Sequence, residues 1–231
     1  MPFADLARGV DCRPAPVAWL AAGMTTPRIE QLALTDGTEL WCTVAEPDNV
    51  VRGGVVVLHG TDGVTEQVRQ LISALAAEGW CVAAPHLREP ALSGEAVLAD
   101  TDAAFVWLSD RDVQCAEQGI VGVGTGGSAA FVVAARRTIG AAVTVGGAGV
   151  LEPLTPGLPP LVDVADEVTC PWLGLYGDGD ESTPRAEVDK LREALDGAGK
   201  VTDVVHFADL PGQATGEVWQ RVRNWFDQHL R

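Results

Sequence analysis

The sequence is short of basic residues: 16 Lys and Arg stand against 32 Asp and Glu, which gives a net charge of −16. A chain this acidic repels the phosphates of nucleic acids and the headgroups of anionic lipids. We therefore expect no nucleic-acid partner. The acidity by itself favours solubility and specifies neither a fold nor a substrate.

Long apolar runs are also missing. No stretch approaches the length that crosses a membrane, so we expect no membrane partner. The first residues lack a basic region followed by an uninterrupted apolar run, because Asp5, Arg8, Asp11 and Arg13 interrupt them. We expect no signal peptide, and cytoplasmic residence is the simplest interpretation.

The sequence contains neither paired cysteines nor clustered histidines. Its five cysteines are far apart without a C-x-x-C pair, which is typical of reduced, mostly buried thiols. The four histidines do not share the spacing of metal ligands, so we expect no metal site. The glycines around position 124 lack the Gly-x-Gly-x-x-Gly spacing of a dinucleotide fingerprint, apart from a variant that ends at Ala129, and we expect no cofactor.

The chain is long enough to bury one large core, since 47% of its 231 residues are hydrophobic. Residues 1–28 carry proline, glycine and mixed charge without periodicity, and we interpret them as an N-terminal extension that packs on the domain or on a partner. Residues 29–231 are predicted to form a single domain.

Strand and helix patterns alternate through that domain. A hairpin is predicted around the Asp36-Gly37 turn, and apolar runs such as Gly54–His59 and Trp80–Ala84 are typical of strands covered on both faces. Helical spacing between these runs predicts an α/β fold with a mostly parallel central sheet and helices on both faces. The proline-rich stretch from Gly146 to Val168 is interpreted as a lid or a surface loop.

A glycine-crowded turn, Gly119 to Gly127, joins a predicted strand to a predicted helix, which is the setting of a nucleophile elbow. His59-Gly60 follows the first buried strand, and Pro85 ends the next. In this order and spacing, the chain from residue 29 onward resembles the dienelactone hydrolase family. The resemblance implies the α/β-hydrolase fold and a small-molecule substrate.

The resemblance also implies which positions would form the catalytic triad. The family's Gly-x-Cys-x-Gly-Gly turn matches residues 122–127, which places Gly124 at the nucleophile position. The family's acid, in a Gly-x-x-Asp-x-x-x-Pro pattern, matches Asp180. The family's histidine follows the last strand, where this chain has Gln213.

Two of these three positions cannot perform their family role. Glycine has no side-chain nucleophile, and the amide of Gln213 cannot exchange a proton usefully near neutral pH. Triad members act as a unit, so losing two leaves at most the contributions of an oxyanion hole and of binding. The sequence therefore predicts a degenerate triad and excludes ordinary Cys/Ser–His–Asp hydrolysis.

Two nearby hydroxyls are alternative nucleophiles. Thr125 has Val123, and Ser128 has Ala130, at a position where an elbow needs glycine. The structural interpretation is stronger, in which Thr125 closes the turn and Ser128 enters the helix.

The cleft is expected to retain ligand-binding groups. Backbone N–H groups at the helix N-terminus favour an anion or a carbonyl oxygen. The predicted ligand contacts are Thr61, Asp62, His86, Arg88 and Thr125. His86 and Arg88 are included because ligands bind at the carboxyl ends of strands in open α/β sheets.

The two remaining histidines are not favoured as bases. His59 is expected to bond to backbone beneath the cleft, and His206 lies inside the last predicted strand.

Three functions remain open. The first is a non-hydrolytic enzyme that promotes cyclisation, isomerisation or elimination of a small carbonyl or lactone-type substrate, with Asp180 as base or orienting group and Asp62, His86 and Gln213 as hydrogen-bonding groups. The second is a non-catalytic binding or scaffold protein. The third is a hydrolase of small esters or lactones in which Asp180 or Asp62 activates water directly.

Overall fold

The computed structural model describes residues 26–87, 93–155, 157–197, 199–208 and 216–230. Most of the predicted N-terminal extension lies outside these ranges, and so do Arg88 and Gln213. The predicted division at residue 28 and the predicted roles of Arg88 and Gln213 stay predictions.

Eight strands form one sheet, and their spatial order is β1-β2-β4-β3-β5-β6-β7-β8. The strands are β1 (Arg28–Ala33), β2 (Glu39–Ala45), β3 (Gly53–Leu58), β4 (Trp80–Pro85), β5 (Gln118–Val123), β6 (Ala141–Val145), β7 (Trp172–Gly177) and β8 (Thr202–Phe207). The pairs β1–β2 and β2–β4 are antiparallel, and every other pair is parallel. The predicted hairpin and mostly parallel sheet are confirmed.

Helices cover both faces of this sheet. They are α1 (Glu66–Ala77), α2 (Gly94–Ser109), α3 (Thr125–Arg136), α4 (Arg185–Leu195) and α5 (Gly216–His229). Buried residues of α2, α3 and α4 join the core on one face, and those of α1 and α5 join the core on the other. None of the helices in the described ranges is long and apolar enough to cross a membrane.

Side-chain caps fix where two of these helices begin. The Thr65 hydroxyl accepts a hydrogen bond from the Val68 N–H at the start of α1, over 3.4 Å. Ser93 caps α2 in the same way through the Ala96 N–H. These side chains satisfy N–H groups that have no partner within a helix.

The stretch from Gly146 to Val168 is part of the core where the structure describes it. Leu161–Glu167 form a short 3₁₀ helix that packs against α3 and α4. Leu158, Leu161 and Val164 are almost completely buried. Burial of these apolar side chains holds the segment against the domain, and this disagrees with the interpretation as a surface loop.

Polar contacts fasten the β1–β2 hairpin to α2. The Trp107 indole N–H donates to Glu30 Oε2 over 2.7 Å. The guanidinium of Arg111 lies 3.5 Å from the Trp107 ring centroid and pairs with Glu46. This cluster is partly buried, so the hairpin edge of the sheet has a defined position beside α2.

The cysteines give a direct test of the packing. Burial raises the pKa of Cys42 and Cys170 to about 12 and that of Cys81 to about 11, whereas Cys115 is exposed. We expect iodoacetamide at pH 8 to alkylate Cys115 at least about a hundredfold faster than the three buried thiols, because the thiolate is the reacting form.

Peptide mass spectrometry of native and urea-unfolded samples measures each rate. Equal labelling of Cys81 and Cys115 in the native protein would show that the β4 region opens readily.

Candidate functional site

The strand-to-helix turn after β5 has the backbone geometry of an elbow. Gly124 lies between β5 and α3 with φ +57° and ψ −125°. Its N–H donates to the Val145 carbonyl over 2.9 Å, and its own carbonyl accepts from the Gly127 N–H over 2.8 Å. The sharp turn predicted from the glycines is therefore present, and Gly124 is exposed at its tip.

Three glycines around this turn are required by close packing. A Cβ at Gly122 would lie 1.9 Å from the Gly126 carbonyl oxygen, and a Cβ at Gly127 would lie 2.1 Å from that of Gly146. A Cβ at Gly126 would lie 2.5 Å from the carbonyl oxygen of His59. Backbone atoms cannot give way as a flexible side chain can, so these glycines let α3 approach the sheet.

Gly124 differs from Gly122, Gly126 and Gly127 because it has room for a side chain. A Cβ at this position would have no heavy atom within 4 Å. The site has space for a side chain at the family's nucleophile position, and only the positive φ favours glycine there. The turn thus has the backbone shape of an elbow, and glycine gives it no side chain.

The loop after β3 lies against the elbow. The Cβ position of Gly60 is 3.5 Å from the Val123 carbonyl oxygen and 3.8 Å from Thr125 Oγ1. Thr61 and Asp62 are exposed on this loop. Together with the first N–H groups of α3, which lack partners within the helix, the loop forms a polar surface suited to a carbonyl oxygen or an anion.

The two hydroxyls near the elbow have different surroundings. Ser128 is buried in the first turn of α3, and its Oγ donates to the Ala148 carbonyl over 2.6 Å. That contact supports the structural interpretation of Ser128. Thr125 is the first residue of α3 and is half-buried beside the Gly60 loop.

Asp180 follows β7, and one carboxylate oxygen closes its own turn. Oδ1 accepts from the Ser182 N–H over 2.9 Å and from the Ser182 hydroxyl over 2.6 Å. An aspartate that bonds to the backbone two residues later is a common turn-forming arrangement. Asp180 thus has a structural role irrespective of any catalytic one.

This arrangement predicts how Asp180 variants unfold. Asp180→Ala removes both hydrogen bonds, and we expect it to lower the free energy of unfolding by about 1–2 kcal/mol. Asp180→Asn keeps an acceptor oxygen, so it should lower the free energy of unfolding by less. The decrease for Ser182→Ala should lie between those of the two Asp180 variants.

Urea denaturation followed by circular dichroism measures the series. An Asp180→Ala variant as stable as the natural chain would contradict the structural role.

His59 bonds to backbone through both ring nitrogens. Its Nδ1 lies 2.7 Å from the Gly60 carbonyl oxygen, and its Nε2 accepts from the Leu87 N–H over 3.3 Å. A carbonyl accepts and an N–H donates, so the ring hydrogen is on Nδ1. Both nitrogens are occupied, which fits the structural role predicted for this residue.

His86 lies where β4 ends and contacts the antiparallel strand β2. Its backbone N–H donates to the Trp41 carbonyl, and its Nε2 is 2.8 Å from Thr43 Oγ1. Burial is the main cause that lowers the pKa of His86, and the positive charge of Arg69 adds to it. The ring is therefore neutral near neutral pH.

His206 belongs to a partly buried cluster that the sequence did not indicate. Its Nδ1 lies 3.4 Å from Asp178 Oδ1, and its ring centroid is 6.4 Å from that of Tyr176. Within the described part of the chain, neither His206 ring nitrogen nor the Tyr176 hydroxyl has a hydrogen-bond partner.

Strand register places this cluster away from the elbow. Val123, Val145, Leu175 and Val205 are successive register partners across four strands. The next residue on β8 is His206, which is therefore level with the elbow but three strand spacings away, roughly 14 Å. Its buried ring nitrogens cannot reach a ligand at Gly124.

Comparison with known proteins identifies the family. The sequence matches the model of the dienelactone hydrolase family over residues 89–230. A relative named "putative carboxymethylenebutenolidase" from Salmonella typhimurium is 31% identical, over 76% of this chain and 77% of the relative. A protein of the same name from Escherichia coli K12 is 29% identical, over 76% of each.

Solved structures agree in fold. A putative dienelactone hydrolase from Klebsiella pneumoniae superposes with a TM-score of 0.76 at 27% identity, covering 88% of this chain and 99% of that one. An esterase from Pyrococcus furiosus, Pf2001, superposes with a TM-score of 0.75 at 16% identity, covering 90% and 92%, and shows the fold alone. The chain has the α/β-hydrolase fold and belongs to the dienelactone hydrolase family.

Proposed function

We propose that this family member does not hydrolyse its substrate through a covalent intermediate. It binds a small carbonyl or lactone-type compound at the elbow and promotes cyclisation, isomerisation or elimination by positioning and hydrogen bonding. The observation that carries this proposal is Gly124, which stands at the tip of an intact elbow with room for a side chain and none present.

Hydrogen bonding at the elbow needs no side-chain nucleophile. The N–H groups at the start of α3 and those of the Gly60 loop are the donors for a carbonyl oxygen that gains negative charge. One well-placed donor of this kind accelerates acyl-transfer reactions by about 10²–10³. The same contacts stabilise an enolate, which forms in isomerisation and elimination next to a carbonyl.

Such reactions also need a proton acceptor. Asp62 is exposed on the loop beside the elbow, whereas Asp180 uses Oδ1 to hold Ser182. Asp62 is therefore the base that we favour, and Asp180 orients the neighbouring loop. His86, neutral near pH 7 because burial lowers its pKa, is a second polar group at this edge of the sheet.

The names of the relatives favour a second candidate, a hydrolase of small esters or lactones. In this chain, water would attack the carbonyl directly with Asp62 or Asp180 as base. Because no acyl-enzyme forms, the rate would be far below that of a complete triad.

Turnover in water enriched in ¹⁸O separates these functions. We expect an unsaturated lactone incubated with the natural chain to give a product of unchanged mass without ¹⁸O, and Asp62→Ala to abolish its formation. Asp163→Ala, a change on the 3₁₀ helix, serves as a matched control.

The other outcomes are decisive as well. Product that carries ¹⁸O and is lost in Asp62→Ala or Asp180→Ala would establish the hydrolase instead. A lactone that raises the melting temperature without being converted would identify a binding protein and overturn the catalytic part of the proposal.

A further inference from the structure

The segment after β6 is held in place through its backbone. Residues 146–150, which we call the glycine loop, consist of three glycines, one alanine and one valine. These side chains form no hydrogen bonds, so the carbonyl groups of the loop make the polar contacts. The Gly149 and Val150 carbonyls accept from the N–H groups of Leu161 and Val162 over 3.0 and 3.2 Å. These bonds fix the end of the loop to the 3₁₀ helix.

A buried serine joins the glycine loop to the elbow. The Ser128 hydroxyl, in the first turn of α3, donates to the Ala148 carbonyl over 2.6 Å. The two backbones are also close, since a Cβ at Gly147 would lie 3.2 Å from the Ser128 nitrogen. A Cβ at Gly127 would lie 2.1 Å from the Gly146 carbonyl oxygen. A displacement of the glycine loop would therefore move the first turn of α3 as well.

A buried threonine joins the same loop to the turn that carries Asp180. Thr183 is almost completely buried, and its Oγ1 donates to the Gly147 carbonyl over 3.2 Å. Its own N–H donates to the Asp180 carbonyl over 3.2 Å, which fixes the threonine within that turn. A buried carbonyl that loses its donor raises the free energy of the folded state. The Thr183 hydroxyl therefore holds the glycine loop against the turn after β7.

We propose that Thr183 is a positioning residue for the elbow. Its hydroxyl holds Gly147, and the adjacent Ala148 carbonyl holds Ser128 in the first turn of α3. The N–H groups of that turn are the donors in the proposed function, and such donors are most effective when they are fixed before the reaction. The inference deepens the proposed function and rests on it for the use of these N–H groups. The mechanical connection is measurable without a substrate.

A second buried threonine provides a matched control. Thr101 is completely buried, and its Oγ1 donates to the Val97 carbonyl over 2.6 Å. That bond joins two residues of α2. Thr101→Val thus removes a buried hydroxyl without breaking the connection between the glycine loop and the elbow.

Amide hydrogen exchange of the full chain, followed by NMR, tests the connection. The reporters are the N–H groups of Gly124 and Gly127, which donate to the Val145 and Gly124 carbonyls. We expect Thr183→Val to raise these two exchange rates at least about tenfold more than those of the α5 amides, because the opening is local to the elbow. Thr183→Ser keeps the hydroxyl and should keep the rates within about twofold of those of the natural chain. Thr101→Val should leave the ratio between the elbow and α5 unchanged.

Three results would overturn the proposal. An equal rise at the elbow and in α5 would show that Thr183 contributes to global stability alone. Unchanged rates at Gly124 and Gly127 in Thr183→Val would show that the elbow does not depend on the hydroxyl. An elbow-specific rise in Thr101→Val as large as that in Thr183→Val would show that any buried hydroxyl has this effect.

A second variant covers a failure of Thr183→Val to fold. Thr183→Ala places no methyl group against the Gly147 oxygen, and its exchange rates are compared with those of Thr183→Ser in the same way. Exchange does not depend on turnover, so a failure of this connection is distinguishable from a failure of the reaction proposed at the elbow.

Discussion

Gly124→Cys/Gln213→His is expected to hydrolyse an activated ester at least about a thousandfold faster than the natural chain, because a complete triad contributes several orders of magnitude in rate. The elbow already has the required backbone turn, and a Cβ at position 124 meets no heavy atom within 4 Å. The strand-to-helix geometry therefore presents the new thiol at the tip. Release of 4-nitrophenolate from 4-nitrophenyl acetate measures the gain.

The single variants are the matched controls. Gly124→Cys alone supplies a thiol without a base, and Gln213→His alone supplies a base without a nucleophile. Triad members act as a unit, so each single variant should gain far less than the pair. Adding Asp180→Ala to the pair should remove much of the gain if that carboxylate orients the new histidine.

The new cysteine has a cost in stability. At φ +57° a residue with a Cβ is strained, and the free energy of unfolding should fall by about 1–2 kcal/mol. A double variant that folds but does not hydrolyse the ester would show that the cleft lacks more than the nucleophile and the base. That result would favour the non-catalytic binding protein among the proposed functions.

Much of the fold follows from local patterns in the sequence. The continuous apolar run of β3 is buried along its whole length, as a strand covered on both faces should be. The start of α3 was less predictable. The sequence predicts a helix from Ser128, because glycines indicate a turn, yet α3 begins at Thr125. Gly126 and Gly127 are helical because close contact with the sheet outweighs their low helix propensity.

The site could be predicted only in part. The elbow could be predicted because its glycines lie close together in the chain, within residues 122–127. The contact between Thr43 and His86 depends on antiparallel pairing of β2 with β4, which brings together residues 43 positions apart. Local spacing carries no signal for such a pair. The same reason explains why Asp178 and His206, on neighbouring strand ends, were not paired from the sequence.

Alanine at Gly122 or Gly126 is expected to destabilise the protein by at least about 3 kcal/mol, a large part of the 5–15 kcal/mol that typically holds a domain together. The added Cβ would lie 1.9 Å from a carbonyl oxygen at Gly122 and 2.5 Å from one at Gly126. Both clashes are with backbone, so relief requires α3 to move off the sheet. Urea denaturation and the yield of soluble protein measure the effect.

Other glycines separate the contribution of space from that of backbone conformation. Gly179→Ala adds a Cβ with no heavy atom within 4 Å, and Gly60→Ala adds one at an ordinary contact distance of 3.5 Å, so both should change stability by less than about 1 kcal/mol. Gly124→Ala has space but a positive φ, and its cost should be intermediate. If Gly122→Ala were as mild as Gly179→Ala, the elbow would be loosely packed. An elbow free to move could not hold its N–H groups toward a carbonyl oxygen, and the function proposed for it would lose its physical basis.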